Sequence, residues 1–308
     1  MNQAEQDAIL TICLMAAFAD GGKDDRERAE IKRICETLPQ ARASALYQRV
    51  LLRQVTLRDA AALLTANAHR QLAYEMAVCV AEADEALTES EKQFLSELRT
   101  VLGLAAGATQ VFEKQAEAVA TAPVTAPVLP ANTADVDAEV DKTILNYAIL
   151  NAALELLPES LATMAIVPLQ IKMVYRVGAR YGHQLGRGHI KELLATAGVG
   201  LTSQVVEGYA RKLVGGFLGK AGGGLLRGLG QQAASSGLTF ATTYALGHMA
   251  KKYYAGGRTL SALQLRELFE AFKTKAQSLH GQHAGAIDQQ ARQVSVTDLL
   301  PLIRSQSA

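Results

Sequence analysis

Two short acidic stretches hold the residues of this chain best suited to chemistry. The first reads Ala19-Asp20-Gly21-Gly22-Lys23-Asp24-Asp25-Arg26-Glu27. The second, Ala83-Asp84-Glu85-Ala86-Leu87-Thr88-Glu89-Ser90-Glu91, follows at an offset of 64 residues. At that offset Asp20 aligns with Asp84, Asp25 with Glu89 and Glu27 with Glu91. Carboxylates gathered at helix entries are hard oxygen donors of the kind Ca²⁺ or Mg²⁺ takes. If the repeat brings the loops together, one or two divalent ions would sit among these six side chains. A purely structural account competes. Acids in a first helical turn complement the helix dipole, and capping boxes absorb Glu27 (with Asp24) and Glu91 (with Thr88). Asp20 and Asp84 stand ahead of their turns, and no cap requires them. Neither loop is an EF-hand: counting from Asp20, position six is Asp25 where Gly belongs and position twelve is Ile31 where Glu belongs.

Nothing else in the chain assembles a reaction, and a non-enzyme is expected. No Gly-x-Ser-x-Gly occurs, and no nucleophile–base set is evident. Gly222-Gly223-Gly224 lacks the GK[ST] ending and the preceding strand of a phosphate loop. His183 and His189 lie six apart in a basic stretch, and His280-x-x-His283 has no nearby cysteine, so locally hydrogen-bonded histidines are the expected reading. The three cysteines (Cys13, Cys35, Cys79) fall at apolar helical positions without CxxC spacing, which excludes a disulfide framework and a zinc site and reads as buried hydrophobes in a reducing compartment. A metal-dependent enzyme would need a pocket joining the acidic loops to His183 or His189.

The elements that must position the acidic loops are helices. Apolar residues at helical spacing predict helices over 4–19, 41–53, from Thr56, over 69–83 and after Thr88, with another through Ile31, Ile34, Cys35 and Leu38. The repeat extends to their flanks, Ile12 aligning with Met76 and Met15 with Cys79. No stretch alternates with period two, so the fold class is all-α: two repeated helix–loop–helix units in residues 1–115. Residues 116–140 carry three of the seven prolines and read as a semi-extended linker. Residues 141–258 form a second, Gly-rich helical domain, and 259–308 add an amphipathic helix from about Ser261, a loop holding His280 and His283, and a short helix near 296–303. The core must be mostly aliphatic, because the chain is 49% apolar but only 5% aromatic, with no Trp.

The net charge of +1 hides a partition. Residues 1–115 hold 13 Lys and Arg against 17 Asp and Glu, and 116–140 hold four acids and no base. Residues 141–258 hold 13 bases against five acids. Nineteen of the 25 glycines lie between Gly178 and Gly257, several of them four residues apart. Each interior glycine costs a water-exposed helix up to about 1 kcal/mol, whereas in a bilayer the spacing lets helices approach closely. Gly228–Ala250 is uncharged for 23 residues but rich in Gln, Ser and Thr, so helices lying on or dipping into a membrane surface are expected in place of a conventional span. The basic residues alternate with apolar runs and do not gather on one polar face, so no nucleic-acid surface is expected. The N-terminus has no basic n-region, so no cleaved signal peptide is expected.

Two resemblances follow from these residues. The pattern A-D-G-x-x-x-x-x-E between apolar helices, with a second A-D…E copy in register, resembles the TerB-like tellurite-resistance family over residues 4–105. That resemblance implies an all-helical bundle with Asp20, Asp25, Glu27, Asp84, Glu89 and Glu91 as divalent-cation ligands. Glu85 replaces the Gly of the pattern, so the two loops are not expected to bind alike. Residues 156–257, through P-L-Q-I-K-M-V-Y-R-V-G-A-R-Y-G at 168–182 and T-Y-A-L-G-H-M-A-K-K-Y-Y-A-G-G at 243–257, resemble a bacterial domain of unknown function found in some inner-membrane proteins and appended to some Era-like GTPases. It implies association with the cytoplasmic face of the inner membrane and a protein partner, possibly a GTPase. The expected function is a membrane-associated, cation-responsive adaptor of a bacterial stress response; the alternatives are a pore-forming or effector protein and a metal-dependent enzyme.

Overall fold

A computed structural model of the chain describes residues 1–20, 31–32, 42–84, 87–122, 136–214 and 228–304. These residues form thirteen α-helices and no strand, in two compact units. The first unit takes α1 (Gln3–Ala17), α2 (Arg42–Leu51), α3 (Leu57–Ala62), α4 (Asn67–Ala81), a 3₁₀ turn (Glu82–Asp84), α5 (Glu89–Val101) and α6 (Ala106–Ala120). It also takes a helix from far downstream, α10 (Leu201–Val214). The second takes α7 (Val136–Glu155), α8 (Ser160–Arg180), α9 (Arg187–Thr196), α11 (Gly228–Ala255) from Ala233 onward, α12 (Ala262–Gln293), a 3₁₀ turn (Val296–Asp298) and α13 (Leu299–Arg304).

The repeat is visible in three dimensions. Helices α1 and α4 have the same length and the same offset of 64 as the acidic loops, and they pack against each other. Ile9, Ile12, Cys13, Met76, Cys79 and Val80 are buried there. An equivalent pair also joins their starts: Glu5 and His69, 64 residues apart, meet at 2.9 Å through Glu5 Oε1 and His69 Nδ1. The other carboxylate oxygen closes a capping box, accepting from the Asn2 amide at 2.9 Å while Asn2 Oδ1 accepts from the Glu5 amide. Those bonds, the Asn2 amide first and His69 second, hold the Glu5 carboxyl below the usual glutamate range. Comparable boxes start α3 (Thr56 with Asp59) and α5 (Thr88 with Glu91).

In the second unit α7 packs on α8 and α12, while α9 and α13 also pack on α8. Ala148, Ala152 and Ala153 of α7 meet Phe240 and Ala241 of α11 and Ala276 and Ile287 of α12 in one apolar cluster. A polar seam runs through this unit. The Asn151 and Gln170 amides both donate to Thr243 Oγ1, at 3.3 and 3.1 Å, and the Ser235 hydroxyl donates to Glu155 at 2.7 Å. Lys172 is buried and donates to the Leu302 carbonyl at 2.5 Å; burial, aided by nearby Arg176, pulls its ammonium down to about 8.

Several expectations meet a different arrangement. Helix α6 was not foreseen, and it makes residues 116–120 of the expected linker helical; α7 does the same for 136–140, and 123–135 lie outside the described residues. Helix α10 falls inside the stretch 141–258 that composition groups together, yet it packs on α1 and α4. The loop expected at His280 and His283 is continuous α12, because both rings stack on Phe240, with centroids at 5.9 and 5.7 Å, from one face of the helix. Two of the glycines serve close contacts inside the second unit: a Cβ on Gly247 would lie 2.6 Å from Ile144 Cγ2, and one on Gly178 would lie 2.3 Å from Leu185 Cδ1. Among the described residues no helix is long and apolar enough to cross a membrane. The Gly21-Gly22 helix stop, the Asp24–Glu27 capping box and the positions Ile34, Cys35 and Leu38 lie outside the described residues.

Two predictions follow from this packing. Gly247→Ala lowers stability by about 1–3 kcal/mol, because the methyl drives into Ile144, whereas Gly281→Ala, with open space around it in α12, raises stability by up to about 1 kcal/mol; urea denaturation reads both. The folded-state pKa of Glu5 is depressed, so its contribution is present above the ordinary glutamate range and is lost as pH falls through the folded value. Glu5→Gln therefore melts below wild type at neutral pH, and the gap closes in acid.

Candidate functional site

The second acidic loop can be followed side chain by side chain. Thr88 caps α5: its hydroxyl accepts from the Glu91 amide at 3.2 Å and donates to Glu91 Oε2 at 2.9 Å, while its own amide donates to the same oxygen at 2.8 Å. Glu91 is buried by this arrangement. Glu89 is exposed and pairs with Lys92 one turn on, at 2.7 Å. Asp84 closes the 3₁₀ turn that ends α4. In the first loop Asp20 is half-buried just beyond α1, and Asp25 and Glu27 lie outside the described residues. Among the described residues no group of three or more His, Cys, Asp or Glu is placed to hold a metal ion.

Beside this loop lies a groove that sequence reasoning missed. It has a volume of about 640 Å³ and is lined from α4, α5 and α6. Val78, Leu87 and Leu95 supply apolar surface, while Lys92, Arg99 and Lys114 oppose Glu82, Glu113 and Glu117. Within it the Tyr74 hydroxyl donates to Glu113 Oε1 at 2.7 Å, and Arg99 reaches the same oxygen at 3.7 Å. Burial, with the Glu113 bond second, pushes the Tyr74 phenol well up, so it acts as a hydrogen-bond donor at any ordinary pH. Loop and groove are continuous, since Leu87 follows the 3₁₀ turn and Lys92, the partner of Glu89, lines the groove. The groove escaped sequence reading because α6 has no strong apolar periodicity and its partner Tyr74 sits on a helix read as core. What the site offers is recognition by an apolar strip flanked by charges of both signs.

If Glu91 serves the cap, Thr88→Ala and Glu91→Gln each lower the stability of the full chain by ~1 kcal/mol, and by the same amount with and without millimolar Ca²⁺. Chemical denaturation with and without the ion checks this; a loss seen only with Ca²⁺ would make Glu91 a ligand first.

No curated protein and no solved structure matches the chain. The family comparison is informative for the first unit alone. Residues 6–113 match the family model of the tellurite resistance protein TerB, so the resemblance carried by the repeated acidic loops holds for the bundle that contains both loops and most of the groove.

Proposed function

We propose that the chain is a non-enzymatic adaptor of a tellurite-resistance-type stress response, and that its N-terminal bundle binds a protein partner in the groove beside the second acidic loop. The observation that carries this reading is the continuity of the two features: Lys92 lines the groove and is held by Glu89 of the loop. A divalent cation taken up by Asp20, Asp84 and Glu89 would compete with Lys92 for the Glu89 carboxylate. That competition would free an ammonium into the groove and change what the groove binds. The bundle is thus a cation-responsive binding head. A GTPase is one class of partner the C-terminal resemblance implies.

A membrane arm of the same reading rests on the charge partition, 13 bases against five acids in residues 141–258. Exposed Lys252 and Arg258 suit anionic headgroups of the cytoplasmic leaflet.

Site-specific photocrosslinkers test the head. Placed at Leu87 or Gln110 in the full chain in vivo, they should capture one partner, while a crosslinker at exposed Leu263 should not. Equal yields at all three positions would remove the groove from the reading. Titration of the full chain with Ca²⁺ or Mg²⁺ should give heat and a raised melting temperature, both diminished by Glu89→Gln. Vesicle flotation tests the arm: vesicles rich in anionic lipid should carry the protein, and neutral vesicles should not.

A further inference from the structure

Helix α10 sits in the first unit but comes from about ninety residues beyond the end of the TerB match. It covers α1, α4 and the 3₁₀ turn that follows α4. Val205, Val206, Tyr209, Ala210 and Leu213 form its buried stripe at helical spacing. Beneath it lie Cys13 and Cys79, both fully buried, and the Tyr209 hydroxyl bonds the Cys79 sulfur.

The chemistry of this contact differs from that of the α1–α4 contact it covers. The α1–α4 contact is built on Ile9, Ile12, Met76 and Val80. The α10 contact buries Thr202, Ser203 and Lys212, and it leaves Gln204 Nε2 buried without a hydrogen-bond partner among the described residues. The Tyr209 hydroxyl finds only a thiol, a weak acceptor. An unpartnered buried amide and a desolvated lysine both weaken docking relative to an apolar helix of the same size. Gly198, with φ +82°, and Gly200 precede α10, and Gly215-Gly216 follow it in sequence.

We infer that the α1–α4 face is a helix-docking surface and that α10 is its resident occupant in cis, a strap that leaves and returns as a unit while the rest of the bundle stays folded. The inference does not depend on the groove, which lies on α4, α5 and α6. Because α10 covers the thiols, release of the strap exposes Cys79 to reagent. Burial holds the Cys79 thiol well above its ordinary pKa and keeps it inert while α10 is docked.

The test uses the full chain with Cys35→Ser. Hydrogen exchange followed helix by helix should show α10 amides opening at least about tenfold faster than those of α1 and α4. Exchange of all three together would overturn the strap. Labelling of Cys79 by a thiol reagent should speed up by about 100-fold or more in Tyr209→Ala, which loses a buried aromatic, with helical circular dichroism retained. Gln204→Leu removes the unpartnered amide and should slow labelling. If Tyr209→Ala loses its helicity, Gln204→Leu decides: labelling no slower than in the parent protein would refute the proposal.

Discussion

The packing of α1 against α4 is the contact on which the first unit depends. Each helix is fifteen residues long and is buried along most of its length, so neither has a large polar face of its own. An isolated helix of that length is marginal in water. Each is therefore stable only as the other's partner, and the unit grows outward from the pair: α2 and α3 on α1, α5 and α6 on α4, and α10 across both. The acidic loops follow directly from this geometry, because each repeat leaves its central helix and turns back at the same place. Their duplication reflects the duplication of the core pair.

The second unit solves a different packing problem. With few aromatic residues, its helices must approach closely to exclude water, and alanine and glycine permit that. Ala148, Ala152 and Ala153 face Phe240 and Ala241, and Gly247 lies against Ile144. Close helices leave little room for water, so the polar residues carried inward must satisfy one another. Thr243 serves two amides, Glu155 takes the Ser235 hydroxyl, and Lys172 finds a backbone carbonyl. A polar seam of this kind adds little to stability and fixes which helix faces meet. It also gives the Ser and Thr residues of Gly228–Ala250 a place that a lipid-facing span would not.

In the first unit, the region that resembles TerB supplies the loops and most of the groove, while the downstream helix α10 supplies part of the covering of its core. The features with binding potential are thus separated within one bundle. The groove lies on one set of helices, the α10 contact on another, and both involve α4.

The sequence alone determined the helical class, the repeat and the caps. Period 3.6 without period two excludes sheets, an offset of 64 repeats the core positions, and Thr88 with Glu91 is a local signal that needs no fold to read it. It also located the only concentrated acid. Only the tertiary structure decided what those acids do where their side chains are described: Glu91 belongs to its cap and Glu89 to Lys92, because a carboxylate takes the donors that packing brings within reach. It likewise decided that α6 exists, that His280 and His283 lie on a helix against Phe240, and that α10 joins the N-terminal unit. Each of these turns on contacts between residues tens to hundreds of positions apart, and local periodicity carries no record of them.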